Sequence, residues 1–318
     1  MVNGRLIVVA LGGNAISLPE QEGNVDEQFE NSRTTARQLA DLVDDGYRLV
    51  ITHGNGPQIG NFLLRNEAAA GVIYPLPMEV ASAHVQGGMG FMIAQALTNE
   101  LNRRGRACMA ATIVTTVLVD LADTGFKNPT KPIGRIATKE QAEQLQQKEG
   151  WRMKEVQPGK WRRVVPSPPP LRIMEIETIR RAVDAGDLIV ACGGGGVPVA
   201  RKPDYGLCGV RAVIDKDLAS ALLATELGAE MLLILTNIDG VCINYGKPDE
   251  RAIERMTVAE ARRWHDEGQF PPGSMGPKIE GAIEFLKANG SPDARVAIGP
   301  LAQAADTAAG RAGSLIVK

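Results

Sequence analysis

Aromatic residues make up only 4% of this 318-residue chain, and it carries three histidines and four cysteines. Each scarcity excludes something. Cys108, Cys192, Cys208 and Cys242 are scattered without C-x-x-C spacing, which suits reduced thiols and excludes a disulfide framework or a zinc site. His53, His84 and His265 show no H-x-x-x-H spacing and accompany no motif-bearing serine or cysteine, so neither a metallohydrolase nor a hydrolase triad is expected. Cys192, beside four glycines, reads as a small buried strand residue rather than a nucleophile. No apolar run approaches the ~20 residues that span a bilayer. Met1 to Leu11 reads as a first strand, not a signal peptide, so a cytoplasmic location is expected. Charge of one sign is lacking too: 35 Lys+Arg against 37 Asp+Glu give a formal net charge of −2. That balance offers no field for nucleic acid and points to a small-molecule partner. The familiar nucleotide signatures are missing as well. There is no G-x-x-x-x-G-K-[ST], no H-R-D or D-F-G, and Val197-Pro198 after Gly196 breaks G-x-G-x-x-G.

Glycine, in contrast, is abundant, at 35 residues, well above the usual share of about 7%. The glycines close short apolar runs. Leu6 to Leu11 leads into Gly12-Gly13-Asn14, Leu49 to Ile51 into Thr52-His53-Gly54-Asn55-Gly56, and Leu188 to Cys192 into Gly193 to Gly196; Met231 to Leu235 meets Thr236-Asn237-Ile238-Asp239-Gly240. Runs that are continuous rather than alternating mark strands buried on both faces, as in a parallel sheet covered by helices. Helices are expected from Ser32 to Asp45, with Ala36, Leu39, Ala40 and Val43 inward and Gly46 as the stop. Another is expected from Asp215 to Leu227, capped by Asp215, with Leu218 and Leu222 inward. The pattern defines an α/β fold, a three-layer αβα sandwich with a mainly parallel central sheet. One stretch, about 126–170, breaks the rhythm with Pro, Lys, Arg and Gln and reads as an inserted subdomain. Within it Gln157-Pro158-Gly159-Lys160 is a hairpin turn, and Thr138 to Lys148 a short exposed helix.

A glycine loop after a strand lets backbone N–H groups approach an anion, phosphate above all, although any one such loop is equally a tight βα connection. Three on one sheet favour phosphate. The cationic candidates are Lys131, Lys216 and Lys278. The last two begin helices, where a lysine opposes the macrodipole and asks for an anion; a solvated surface position is the alternative for each. Asp215 and Asp217 orient Lys216 or cap the helix, and the residues alone leave both open.

Taken together, the ordered segments Val9 to Ala15, Thr52 to Gln58, Phe126 to Gly134, Trp161 to Pro168, Gly193 to Pro198, Ala212 to Asp217, Asn244 to Pro248 and Gly273 to Lys278 resemble those of the carbamate kinases, a branch of the amino acid kinase superfamily. The resemblance covers nearly the whole chain. It implies reversible phosphoryl transfer between carbamoyl phosphate and ADP, giving ATP and carbamate, with Mg²⁺ carried by the nucleotide and no resident metal. It also implies an acceptor lobe over 1–205 with the lid at 126–170, a nucleotide lobe over 206–318, a homodimer and a place in arginine metabolism. By the same match Lys131, Lys216, Asp217 and Lys278 are catalytic. Gly12, Gly13, Asn14, Gly54, Asn55, Gly56, Gly194 and Gly195 hold substrate and phosphate. Asp215, Thr236, Asn237, Tyr245, Lys247, Met275 and Lys278 serve the nucleotide. The chain departs from the family at Ala83-His84-Val85-Gln86-Gly87, where Ala-Met-Ser/Thr-Gln-Gly is common, and at Phe91, Arg135 and Arg211, so a kinase of a related small carboxylic or carbamic acid stands beside the first reading. A non-catalytic nucleotide-binding homologue is the third, although Lys131, Lys216 and Asp217 are all retained.

Overall fold

Leu6 to Leu11 form a strand buried on both faces, as an unbroken aliphatic run between two helical layers requires. The computed structural model describes residues 4–18 and 20–318; Met1 to Asn3, expected to open the first strand, lie outside the described residues. Numbering the main body alone, β1 (Arg5–Leu11), β2 (Tyr47–His53), β3 (Ala110–Thr112), β4 (Leu188–Val190), β5 (Met231–Thr236), β6 (Arg255–Thr257), β7 (Arg295–Pro300) and β8 (Ser314–Val317) build one sheet. Its order is β6-β8-β7-β5-β1-β2-β4-β3. All neighbours are parallel except β7 and β8. The four aliphatic runs expected as buried strands therefore lie side by side as β5-β1-β2-β4. Leu11 is level with His53 on one side and Leu235 on the other, so the loops that follow emerge along one edge of the sheet.

Helices α1 (Val25–Asp44), α2 (Gly56–Ala69), α3 (Met78–Arg103), α4 (Ile176–Ala185), α5 (Lys216–Leu227), α6 (Val258–Asp266) and α7 (Met275–Ala288) cover it. Alternate β1 residues divide between the layers. Ile7, Val9 and Leu11 join the core beneath α1 and α3, and Leu6, Val8 and Ala10 the core beneath α4 to α7. No helix among the described residues is long and apolar enough to cross a membrane, and all four cysteines are free thiols.

Two helix expectations need correction. α1 starts at Val25 rather than Ser32, because Asn24 and Glu27 form a capping box that adds two polar turns. In α5 the inward face carries Ala219, Ser220, Leu223, Ala224 and Leu227, leaving Leu218 and Leu222 half-buried. The small face turns inward because α7 approaches closely: a Cβ on Gly281 would stand 2.9 Å from the Asp217 carbonyl oxygen and 3.3 Å from the Ala221 Cβ.

The inserted segment forms its own antiparallel sheet, in which Lys160–Val165 lies between Lys131–Ala137 and Met153–Gln157. Gly159, at φ 72°, makes the hairpin turn. Helix Lys139–Glu149 is capped by Thr138 and buries only Ala142.

Candidate active site

The edge formed by the ends of β1 and β5 borders a cavity of about 960 Å³, the upper part of the range that small-molecule and cofactor sites occupy. Gly12 and Gly13 form its floor with Lys216 and Lys278, Thr236 and Asn237 stand at the end of β5, and Ile238, Tyr245, Phe270 and Met275 supply apolar wall. Such a wall accepts a planar heteroaromatic ring, and the two lysines supply cationic lining to the same cavity.

Three lysines from distant parts of the chain converge on two aspartates. Lys216 Nζ donates to Asp217 Oδ1 at 2.7 Å, Lys278 Nζ donates to Asp217 Oδ2 at 2.9 Å, and Lys131 Nζ donates to Asp215 Oδ2 at 2.6 Å. Asp215 is also the N-cap of α5, its Oδ1 accepting from Asp217 N at 2.9 Å. The two aspartates left open by the sequence thus divide the work: Asp217 holds Lys216 and Lys278, and Asp215 caps the helix and holds Lys131. The cluster keeps one positive charge in excess, beside an open cavity.

The electrostatics follow from burial. Desolvation lowers the Lys216 pKa, outweighing the pull of Asp217 and Asp215, and Lys278 lowers it further. Burial works against the Asp217 carboxylate as well, but Lys216 and Lys278 more than offset it and hold its pKa below the usual carboxylate range. An anion placed between these ammonium groups would stabilise every one of them.

The glycine loops contribute space as much as donors. Gly12 N donates to Leu235 O at 2.8 Å and Gly54 N donates to Leu11 O at 3.0 Å, so these two N–H groups, expected to meet phosphate, continue the strand ladder instead. Gly13, Asn55 and Gly56, at the starts of their helical turns, have no backbone acceptor among the described residues. The missing Cβ of Gly54 faces Gly13 N at 3.4 Å and Lys216 Cδ at 3.5 Å, which brings the first two loops and the lysine together. Asn14 belongs to the Gly13–Ala15 turn; its side chain lies outside the described residues.

The tetraglycine supports the site from the side. A Cβ on Gly194, at φ 63°, would stand 2.1 Å from Asn55 Nδ2, and one on Gly195, at φ 95°, would stand 2.2 Å from Ile214 O. The loop therefore lies directly against Asn55 and against the residue preceding Asp215. Among the remaining sequence-derived residues, Tyr245 is exposed at the cavity rim after Asn244, which sits at φ 55°. Lys247 is exposed in the following turn and is not part of the cavity wall. Asp215 is likewise absent from the wall, both its oxygens being engaged as described.

Several supporting residues went unread. Thr52 Oγ1 lies 2.6 Å from Ser220 Oγ, which donates to Lys216 O at 2.6 Å, tying the end of β2 to the first turn of α5. Gln86 exchanges two hydrogen bonds with the Thr115 backbone, at 3.0 and 3.1 Å, and Thr115 Oγ1 accepts from Cys192 N at 3.0 Å, just ahead of the tetraglycine. Polar residues inside apolar helices are the sequence signal here, but their partners are remote. The departures lie outside this network. His84 is exposed and meets Phe62 of α2 at a tilt, with ring centroids 5.5 Å apart, Phe91 meets Phe29 edge-on at 6.0 Å, and Arg135 and Arg211 are exposed.

This arrangement, a mainly parallel sheet whose strand ends present glycine loops and clustered lysines to a nucleotide-sized cavity, defines a phosphotransferase class. The chain belongs to the amino acid kinase family, whose model matches residues 5–297. Within that family its place is among the carbamate kinases. It is 47% identical to the carbamate kinase of Thermococcus kodakarensis over 98% of this chain and 99% of that one. It is 44% identical to that of Pyrococcus furiosus over 99% of each. The solved carbamate kinase from Giardia lamblia bound to AMP-PNP superposes with a TM-score of 0.93 at 41% identity, each chain covered in full (100%).

Proposed function

We propose that this protein catalyses reversible phosphoryl transfer between carbamoyl phosphate and ADP, forming ATP and carbamate. The observation that carries this reading is the convergence of Lys131, Lys216 and Lys278 on Asp215 and Asp217, with Lys216 and Lys278 lining the cavity. A loose phosphoryl-transfer transition state spreads charge over three equatorial oxygens, so preorganised cations and N–H donors supply most of the rate. Carbamate attacks through an oxygen that is already anionic. No general base is needed, consistent with a site in which His53 is neutral and fully enclosed. In the ATP-forming direction Lys131 and Lys216 bind the incoming acyl phosphate, Lys278 bridges toward the nucleotide phosphates, and the N–H groups of Gly13, Asn55 and Gly56 complete the cradle. The adenine ring lies against the apolar wall near Tyr245 and Met275, with Thr236 and Asn237 facing the ribose side.

Mg²⁺ enters as part of the substrate, on the nucleotide phosphates, where it neutralises charge. Both oxygens of Asp217 are engaged by lysines, so this donor set suits phosphate. A homodimer is part of the proposal, supported by the exposed apolar side chains of Val72, Ile73, Tyr74 and Tyr205, as is a cytoplasmic location, supported by four free thiols.

The test is to mix the purified protein with ADP, Mg²⁺ and carbamoyl phosphate and to follow ATP, with acetyl phosphate in parallel. ATP from carbamoyl phosphate is expected. ATP from acetyl phosphate alone would transfer the reading to a related acid, and nucleotide binding without ATP would overturn it. Lys216→Ala should lower turnover by about 10²- to 10³-fold with the fold retained, because its ammonium serves the transferred group.

A further inference from the structure

Lys131 differs from the other two lysines in how it reaches the site. It is the first residue of the inserted sheet, and its side chain is 33% exposed against 14% for Lys216 and 13% for Lys278. The latter two are fixed by α5 and α7, which pack directly on each other through Gly281. Lys131 arrives on a subdomain whose helix buries a single residue.

The sheet of that subdomain rests on α2, where Ile133 and Val165 join the core with Ile59 and Leu63, and its base is tied to a short segment of the main body. Lys131 pairs with Val165 across the inserted sheet. The next residue on the returning strand, Pro166, accepts from Val213 N at 2.9 Å. Two residues beyond Val213, Asp215 Oδ2 accepts from Lys131 Nζ at 2.6 Å. Between them, Ile214 O lies against Gly195 of the tetraglycine. The segment 213–215 thus holds the exit of the insert through a backbone bond and its entrance through the Asp215 carboxylate. Asp215 is also rigid, being capped onto α5 by its other oxygen, and Lys216 follows it in sequence.

We infer that Asp215 is a positioning residue for the lid lysine: its carboxylate holds Lys131 in line with Lys216 before phosphate arrives. The inference rests on the proposed phosphoryl transfer and names a task within it that cavity wall and cap do not explain. A helix cap alone needs one oxygen and no charge, which asparagine supplies equally well. The second oxygen, on a partly buried ammonium 84 positions away in sequence, is what the positioning role adds. A lysine free to swing would have to be recaptured in each turnover, and misplacement of about 1 Å costs on the order of 100-fold.

Asp215→Asn separates the two roles, because it keeps the cap and removes the charge. In the ATP-forming assay the expected result is a kcat about 10- to 100-fold lower, a KM for ADP within about twofold of native because the residue is not on the cavity wall, and a thermal midpoint within a few degrees of native. Asp215→Glu, which restores a carboxylate, should recover part of the kcat. In parallel, hydrogen exchange at the backbone amides of 131–137 should quicken in Asp215→Asn, a readout independent of turnover. If the native protein makes ATP and Asp215→Asn matches it in kcat, the inference is overturned while the proposed function stands. A fall in kcat matched by a fall in thermal midpoint, with no recovery in Asp215→Glu, would reduce Asp215 to a cap and also overturn it. If the native protein makes no ATP, the proposed function fails, and unchanged lid exchange in Asp215→Asn would remove the inference with it.

Discussion

His53 shows how much a single residue can be altered by its surroundings. Its ring is 1% exposed, and its Nδ1–H donates to the Gly54 carbonyl at 3.1 Å, so Nε2 carries a lone pair for which no partner is present among the described residues. A Cβ on Gly193 would stand 2.4 Å from that nitrogen, so the ring fills the space between the second glycine loop and the tetraglycine. Desolvation lowers its pKa to about 4, the Gly54 hydrogen bond opposing this and Lys216 reinforcing it. The unfolded chain takes up a proton near the ordinary 6.5 whereas the folded protein does not. Stability tied to His53 is therefore full above pH 6.5 and is lost as pH falls toward 4, by at most about 3 kcal/mol. His53→Asn should be less stable than native at about pH 8, since the ring leaves a void, yet should decline less between pH 6.5 and 4. Urea midpoints for the two proteins across that range decide it, and parallel curves would refute a neutral buried imidazole. The sequence offered His53 only as a histidine near a glycine loop. Its burial depends on Gly193, which lies in a different glycine loop far along the chain, and no local pattern carries that.

At the scale of elements, the start of α1 was harder to read than its buried stripe, whereas in α5 the ends were legible and the face was not. The apolar spacing of Ala36, Leu39 and Ala40 marks the buried stripe of α1, with Leu42 buried and Val43 only half-buried against the core, but its first two turns are polar and are held by the Asn24 capping box. At the far end a cluster locks α1 and α3 together. Arg104 donates to Glu100, Asp41 and Asp44 at 2.7 Å each, and to the Arg37 carbonyl at 3.1 Å. The pair Glu100 and Arg104 is visible in sequence as an i, i+4 contact; the link back to α1 is not, because it requires the helices to be antiparallel neighbours. Glu100 is only 9% exposed, and Arg103 first, then Arg104, hold its pKa down to about 2 despite the opposing effect of burial. Its contribution is thus complete above about pH 4.5 and disappears as pH falls toward 2. Arg104→Met leaves a nearly buried carboxylate with one partner and separates the ends of α1 and α3, and it should destabilise the protein by about 2 to 3 kcal/mol. Equilibrium denaturation at about pH 7 measures it. A loss below about 0.5 kcal/mol would class the cluster with ordinary surface ion pairs.

Across the whole molecule, the aliphatic runs and the glycines that end them were enough to place the central strands and the edge where the loops gather. They were not enough to pair Lys131 with Asp215 or Lys278 with Asp217, since those pairings depend on strand order, and strand order in this sheet follows neither sequence nor periodicity. The same order has a consequence for folding. β1 and β5 come from opposite halves of the chain, yet they pair over five residues from Ile7 with Met231 to Leu11 with Leu235, and their aliphatic side chains are essentially inaccessible. Neither half can open without exposing the other's central strand. The inserted segment is different: its sheet packs on α2 through Ile133 and Val165, but its outer helix buries Ala142 alone. Native-state hydrogen exchange should therefore find β1 and β5 amides opening with one shared free energy, equal to that of global unfolding. Amides of helix Lys139–Glu149 should open several kcal/mol below it. Saturating ADP at about 100 times its Kd would raise the shared value by about 2.7 kcal/mol, because the cavity needs Thr236 and Asn237 beyond β5 and Gly12 and Gly13 beyond β1, and leave the helix Lys139–Glu149 nearly unchanged. Different opening energies for β1 and β5 would mean two independently unfolding halves, and a helix Lys139–Glu149 as protected as β1 would mean that the insert unfolds only with the core.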